Sequence, residues 1–273
     1  MQVIEDPDDP RLDDYRHLTD GAARRAIESD RAPNGIFVAE GLPALDQLLA
    51  SSHGLRSVLV SPARATSLRE RLAGIGPVMV AERTVLAAVT GFDVHRGVLA
   101  AADRPEPTDA AALLSSSRRL LVLEAVNDNE NVGALFRNAA AMGLDAVILD
   151  HACTDPLYRR SIRVSSGWTL RIPFARTGSI ATTLQLAAEH GIRSIALSPA
   201  VDGVDVDRAA AEGLLDEPFA LVVGAEGPGL TATTIANCDL SVRVPMASGV
   251  DSLNVATAMA VVSAFAAARR GRA

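Results

Sequence analysis

The side chains that could do chemistry fall in a few short runs. Asn131 stands six residues ahead of Arg137 in Asn131-Val-Gly-Ala-Leu-Phe-Arg137, Glu226 stands inside Gly224-Ala-Glu226-Gly227-Pro-Gly229, and Ser252 and Asn254 end the run that begins Val244-Pro-Met246. The glycine-rich run departs from a dinucleotide fingerprint. Its third position is Glu226, which would set a carboxylate against any pyrophosphate, and no acidic ribose ligand follows a second strand at the usual distance. A neutral or cationic cofactor suits it better. Arg137 is awkward as a base, because a guanidinium with a pKa above about 12 stays protonated at neutral pH. It can serve as a fixed cation. Arg159, Arg160 and Arg163 lie within five residues of one another and could hold phosphates. Cys153 and Cys238 lie far apart and the five histidines are scattered, so neither a disulfide scaffold nor a metal site is expected.

These runs need elements to hold them. Residues 120–126 form an apolar run short enough for a buried strand, and similar runs recur at 146–149, 194–197, 219–223 and 240–244, with helical patterns between most of them. Such alternation indicates an α/β fold with a parallel sheet. Two of these strands lead straight into the Gly224 and Val244 turns, and in an open α/β sheet the crevice beyond strand ends is where a cofactor sits. The helix that opens near Asn131 puts Val132, Leu135, Phe136, Ala139 and Met142 on one side, facing the sheet. Arg137 points the other way, flanked by Ala134 and Ala141, on a face that a second subunit or a substrate can approach closely. Asn131 is well placed to cap that helix. Ser252-Leu-Asn254 opens a long alanine-rich final helix.

The first part of the chain reads differently. Residues 1–34, rich in Asp, Pro and Arg, are expected to form a tail or a short helix. Residues 35–102 read as a small α/β unit with strands at 36–39, 55–60, 78–80 and near 97–99 and helices at 42–49 and 67–72. Residues 103–117, with Pro105, Pro107 and a run of three serines, read as a linker. Residues 118–273 then form the second domain.

Composition narrows the function classes. A chain of 273 residues is long enough for one large or two modest domains, and its 48% hydrophobic content can furnish real cores. No apolar run approaches the roughly 18 residues of a membrane span, and the acidic start, Met1-Gln-Val-Ile-Glu-Asp-Pro-Asp-Asp-Pro10, is unlike a secretion signal. A cytoplasmic location is expected. The net charge of −7 argues against holding nucleic acid by bulk electrostatics, so local patches drawn from the 26 basic residues, all arginine, must do that work.

The ordered runs also carry a resemblance. Asn131-Val-Gly-Ala-Leu-Phe-Arg137-Asn-Ala-Ala-Ala-Met-Gly143, Leu221-Val-Val-Gly-Ala-Glu226-Gly and Val244-Pro-Met-Ala-Ser-Gly-Val-Asp-Ser252-Leu-Asn254-Val-Ala resemble the three motifs of the SpoU/TrmH class of SPOUT RNA methyltransferases. Phe37-Val-Ala-Glu40-Gly41 and His95-Arg96-Gly97-Val98 are similar to the class's small RNA-binding domain, which is built like a ribosomal protein. The resemblance implies a SPOUT α/β domain with a deep C-terminal trefoil knot, preceded by that small α/β domain. It further implies a homodimer that uses S-adenosylmethionine to methylate a ribose 2′-hydroxyl of rRNA or tRNA. By the same resemblance Asn131, Arg137, Glu226, Ser252 and Asn254 are the catalytic set. Leu197, Gly224, Glu226, Gly227, Val244, Met246, Ser252 and Leu253 would surround the cofactor, while Glu40, His95, Arg96, Arg159, Arg160 and Arg163 would meet RNA. A protonated Arg137 held against the target's phosphate or ribose would orient the 2′-hydroxyl and stabilise the developing alkoxide. The rival reading is a catalytically silent dimeric RNA-binding protein of the same fold, which would have no need of the five polar residues together.

Overall fold

The chain divides into two compact units, the first made of Met1–Glu106 with Leu157–Arg171 and the second of Pro107–Pro156 with Ile172–Ala273. The computed structural model describes residues 1–19, 21, 28, 35–200 and 202–270.

In the first unit, β1 (Gln2–Ile4), β2 (Ile36–Glu40), α1 (Leu42–Leu49), β3 (Leu55–Val60), α2 (Pro62–Ser67), β4 (Val78–Ala81), α3 (Arg83–Thr90) and β5 (Val98–Asp103) follow one another. The five strands form one sheet in the order β1-β4-β3-β5-β2. β1, β4 and β3 run parallel, whereas β5 is antiparallel to both β3 and β2. The expected strands are present, with differences around them. Of the tail or short helix expected at 1–34, the described residues contain a short helix: β1 forms an edge of the sheet, and a 3-10 helix at Pro10–Tyr15 buries Leu12 and Tyr15 completely. Tyr15 donates its hydroxyl to the Ser57 carbonyl at 2.9 Å and accepts from the Ala101 amide at 3.2 Å, so a buried phenol is satisfied by the sheet beneath it. Most of the amphipathic stretch expected at 15–27 lies outside the described residues. The helix expected at 67–72 ends at Ser67, having begun at Pro62 where Ser61 caps it.

The second unit opens with α4 (Ala110–Ser116), which takes up the later part of the stretch expected as a linker at 103–117; the division between the units, after Glu106, falls within that stretch. Asp109 caps that helix and Leu114 is buried in the core, so a segment with loop-like composition is ordered by a cap and one apolar anchor. β6 (Arg119–Glu124), α5 (Asn129–Met142) and β7 (Ala146–Asp150) come next. The chain then contributes α6 (Arg159–Val164) and a 3-10 turn at Trp168–Leu170 to the first unit. The expectation that 118–273 form one domain is therefore corrected for this segment. Close packing holds it there: a Cβ on Gly167 would meet the Ala44 backbone at 2.9 Å.

Returning at Ile172, the chain forms β8 (Phe174–Thr177), α7 (Ile180–Glu189), β9 (Arg193–Leu197), β10 (Val204–Asp205), α8 (Val206–Ala211), β11 (Phe219–Gly224), α9 (Ala232–Asn237), β12 (Leu240–Arg243) and α10 (Val255–Arg270). Their sheet has the order β10-β12-β9-β11-β6-β7-β8, and every pair in it is parallel. Both faces are covered, which is why β6, β7 and β11 read as unbroken apolar runs. On one face Leu121, Leu123, Val147, Leu221 and Val223 pack with Leu135 and Phe136 of α5 and Met259 and Val262 of α10. On the other, Leu120, Val122, Ile148 and Val222 pack with Leu114 of α4 and Leu184 of α7.

Candidate functional site

Three neighbouring parallel strands, β12, β9 and β11, end at one crevice, which holds about 770 Å³ of empty space that is partly open to solvent. Leu197 and Ser198 come from the end of β9, Gly224 from the end of β11, Ala225, Glu226, Gly227 and Gly229 from the turn after it, and Val244, Met246, Ser252 and Leu253 from the segment between β12 and α10. All eight residues expected around the cofactor therefore line a single pocket. Sequence reasoning missed Pro199, Val223, Val242 and Ala258, which supply apolar wall. Val223 lies within the run around Glu226 without standing out in it; Pro199, Val242 and Ala258 carry no motif signal, and the ends of β9 and β12 and the start of α10 bring them in.

The turn after β11 is shaped by backbone proximity. A Cβ at Gly224 would lie 2.2 Å from the carbonyl carbon of Gly229 and 2.4 Å from the Leu230 nitrogen, so no other residue fits. Gly227 and Gly229 take positive φ angles of 91° and 70°. The result is a tight loop that lines the pocket. The lining includes the Glu226 carboxylate and no lysine or arginine, an environment that disfavours a phosphate-bearing ligand and suits a cation or a neutral adenosine.

Polar side chains from three distant segments join beside it. Asn131 donates from Nδ2 to a Glu226 carboxylate oxygen at 2.8 Å, and Asn254 donates from Nδ2 to the Asn131 Oδ1 at 2.7 Å. Asn254 in turn accepts from the amides of Ala256 and Thr257 and so caps α10. The cap of α5 is a correction. Asp128 accepts from the amides of Glu130 and Asn131, at 2.9 Å and 2.8 Å. Because a carboxylate three residues upstream satisfies those donors, the buried Asn131 side chain is left to reach across to Glu226. Ser252 lies exposed in the lining. Arg137 is exposed on the face of α5 opposite its buried residues, as periodicity predicts.

The arginine-rich residues belong to the first unit. Glu40, at the end of β2, is 4% exposed and forms an ion pair with Arg159, while Arg163 approaches its other oxygen at 3.9 Å. Arg159 also lies over the Phe92 ring, 4.4 Å from its centre. Glu40 therefore does not present its carboxylate outward to RNA: burial and two guanidinium partners turn it into a support, a role better suited to an anion. His95 and Arg96 are exposed, and the Arg96 side chain lies over Gly41. Arg160 is exposed and Arg163 half-exposed.

Neither thiol is poised for reaction. Burial pushes Cys153 up to about 12 and Cys238 up to about 11. Among the described residues no group of three His, Cys, Asp or Glu side chains could hold a metal ion, and no helix is long and apolar enough to cross a membrane.

Known proteins resemble this chain in sequence and in fold. Residues 118–264 match the model of the SpoU rRNA Methylase family. An uncharacterised tRNA/rRNA methyltransferase of Mycobacterium tuberculosis is 44% identical over 96% of this chain and 90% of its own. A 23S rRNA (guanosine(2553)-2′-O)-methyltransferase of Bacillus subtilis is 29% identical over 96% of this chain and 98% of its own. The crystal structure of an AdoMet-bound rRNA methyltransferase from Sinorhizobium meliloti superposes with a TM-score of 0.78 at 24% identity, covering 99% of each chain, a likeness of fold.

Proposed function

Because this chain belongs to the SpoU rRNA Methylase family, we propose that it is an enzyme that transfers a methyl group from S-adenosylmethionine to a ribose 2′-hydroxyl of structured RNA, ribosomal RNA before transfer RNA. The observation that carries the reading is the pocket at the ends of β9, β11 and β12 with the Glu226–Asn131–Asn254 chain at its edge. When bound, the cofactor supplies an electrophilic methyl group on a sulfonium. Leu197, Val244 and Leu253, with Gly224 and Gly227, would surround its adenosine. The Glu226 carboxylate, oriented by Asn131, complements the sulfonium charge.

Transfer would form an O–CH₃ bond to the ribose as the S–CH₃ bond broke, leaving a neutral thioether, with the hydroxyl proton passing to water. Arg137 stays protonated, orients the 2′-hydroxyl and stabilises the alkoxide that develops on it. Positioning of this kind is most of what an in-line methyl transfer asks of a protein. Ser252 completes the polar rim. In the first unit, His95, Arg96, Arg160 and Arg163 offer the RNA contacts, with Arg159 held in place by Glu40.

Three further readings go with this one. The second unit is a SPOUT domain in which the segment after β12 threads an earlier loop to make a trefoil knot; supporting this, β12 lies inside the sheet and α10 packs on α5, with Asn138 donating to the Ala256 carbonyl at 2.8 Å. The protein is a homodimer, for which the exposed Phe265 and Val250 and the small exposed Ala141 beside Arg137 argue. It works in the cytoplasm, where its RNA is.

The test uses RNA from a strain lacking the gene, incubated with the protein and methyl-labelled S-adenosylmethionine. One ribose should gain a 2′-O-methyl group, and a 2′-deoxy substitution at that nucleotide should leave RNA binding intact and abolish transfer. Replacing Arg137 by Ala should lower kcat by about 10²-fold or more with little change in cofactor affinity. Methylation of the deoxy substrate at that nucleotide would place the methyl on the base and refute the reading.

A further inference from the structure

Glu124 has no part in the motifs, yet it occupies a commanding position. It ends β6, in register with Gly224 at the end of neighbouring β11, and is 9% exposed. A carboxylate so placed must be satisfied, and three donors converge on it. One oxygen accepts the backbone amide of Thr231 at 2.9 Å; the other accepts the hydroxyls of Thr231 at 3.1 Å and Thr234 at 2.6 Å.

Thr231 is where the turn that began at Gly224 ends, and it is also the cap of α9, accepting from the Thr234 amide at 3.1 Å. The turn is thus pinned at both ends. At one end Gly224 is set in the sheet; at the other Thr231 is fastened to the adjacent strand by Glu124. Gly224 and Gly229 also meet too closely to admit a side chain. Between the pins lie Ala225, Glu226, Gly227 and Gly229, whose peptides and one carboxylate line the pocket.

We infer that Glu124 is a positioning residue for the cofactor: by clamping Thr231 it holds the turn 225–230, and with it Glu226, in the shape that binds. It touches neither ligand nor RNA, and acts through the turn. Reach rather than charge is what the clamp needs, since glutamine presents the same length with a donor that the two threonine hydroxyls can accept. Aspartate keeps the charge and loses one methylene of reach. Thr234 is bonded to the same carboxylate, but from inside α9 rather than from the turn.

The inference rests on the cofactor reading above, and two readouts on the whole protein keep the two separable. Calorimetry measures S-adenosylmethionine affinity, and amide hydrogen exchange of peptides covering 225–231 measures the turn without any ligand. Glu124→Ala removes the protein acceptor of the Thr231 amide, and should weaken S-adenosylmethionine at least tenfold and raise exchange in 225–231 by a similar factor. Glu124→Asp should do the same, and carries the test should the alanine variant not fold. Glu124→Gln should bind within about threefold of the parent, and Thr234→Val within about twofold. The clamp is overturned if Glu124→Asp binds within twofold with unchanged exchange, or if Thr234→Val loosens the turn as much as Glu124→Ala does. Failure of the parent protein to bind S-adenosylmethionine would overturn the cofactor reading instead, and the exchange data would still decide whether Glu124 holds the turn.

Discussion

Asn131 and Glu226, 95 residues apart in the chain, meet through a 2.8 Å hydrogen bond in which the amide donates to the carboxylate. The opposite end of the same amide accepts from Asn254. Aspartate at 131 would keep the size, lose the donor and set a second carboxylate against Glu226. Asn131→Asp is expected to lower kcat by about 10²-fold and to make the loss pH-dependent, easing as pH falls and the pair takes up a shared proton. Steady-state kinetics from pH 5.5 to 8.5 checks this; a flat ratio to the parent would remove Glu226 from the explanation.

Two glycines of the turn should respond unequally to alanine. At Gly224 the new Cβ would lie 2.2 Å from Gly229, a clash between backbones that cannot relax cheaply. At Gly227 nothing lies within 4 Å, and only the φ of 91° resists. Gly224→Ala should therefore cost about 3 kcal/mol or more and abolish cofactor binding. Gly227→Ala should cost about 1–2 kcal/mol. Thermal denaturation with calorimetry distinguishes them, and equal effects would mean that the turn is softer than its geometry.

The Glu40–Arg159 pair should matter to the first unit far more than an exposed ion pair would. Glu40 keeps 5% of its side chain exposed and Arg159 22%, so removing one partner strands a largely buried charge. Glu40→Ala should lose about 2–4 kcal/mol, with a smaller additional loss on removing Arg159 as well. Trp168, the single tryptophan, belongs to the segment that Arg159 helps to hold, so its fluorescence in a denaturant titration reports the event. Additive effects of the two substitutions would show that the pair is not coupled.

Cysteine chemistry should be silent in the folded protein. Burial raises Cys153 from 9.0 to about 12, so its thiol form is favoured by folding. The sign follows: stability from this group is fully present below pH 9, and is lost as pH rises from there through 12. At pH 8 iodoacetamide should leave both cysteines unlabelled in the native state and label both in denaturant, as mass spectrometry would show. Rapid native labelling of Cys153 would contradict its placement in the core.

Much of this protein is decided by short-range pattern. Apolar runs of strand length alternating with helical spacing specify a parallel sheet covered on both faces, because only a strand buried twice can afford no polar side. The 3.6-residue period alone sends Arg137 outward from α5. Glycine and serine at the ends of two strands mark the pocket, since a chain that turns back on itself within hydrogen-bonding distance has no room for a Cβ at Gly224. What tertiary structure decided is which polar group meets which. Asn131 looks like a helix cap until Asp128 takes that place and frees its amide for Glu226 and Asn254, which lie 95 and 123 residues away. Glu40 reads as a surface carboxylate, and is buried by a segment from beyond residue 156. Glu124 closes an ordinary apolar strand and reaches Thr231, 107 residues on. A polar side chain has no period and many possible partners, so its role is settled only when the sheet brings distant strand ends side by side.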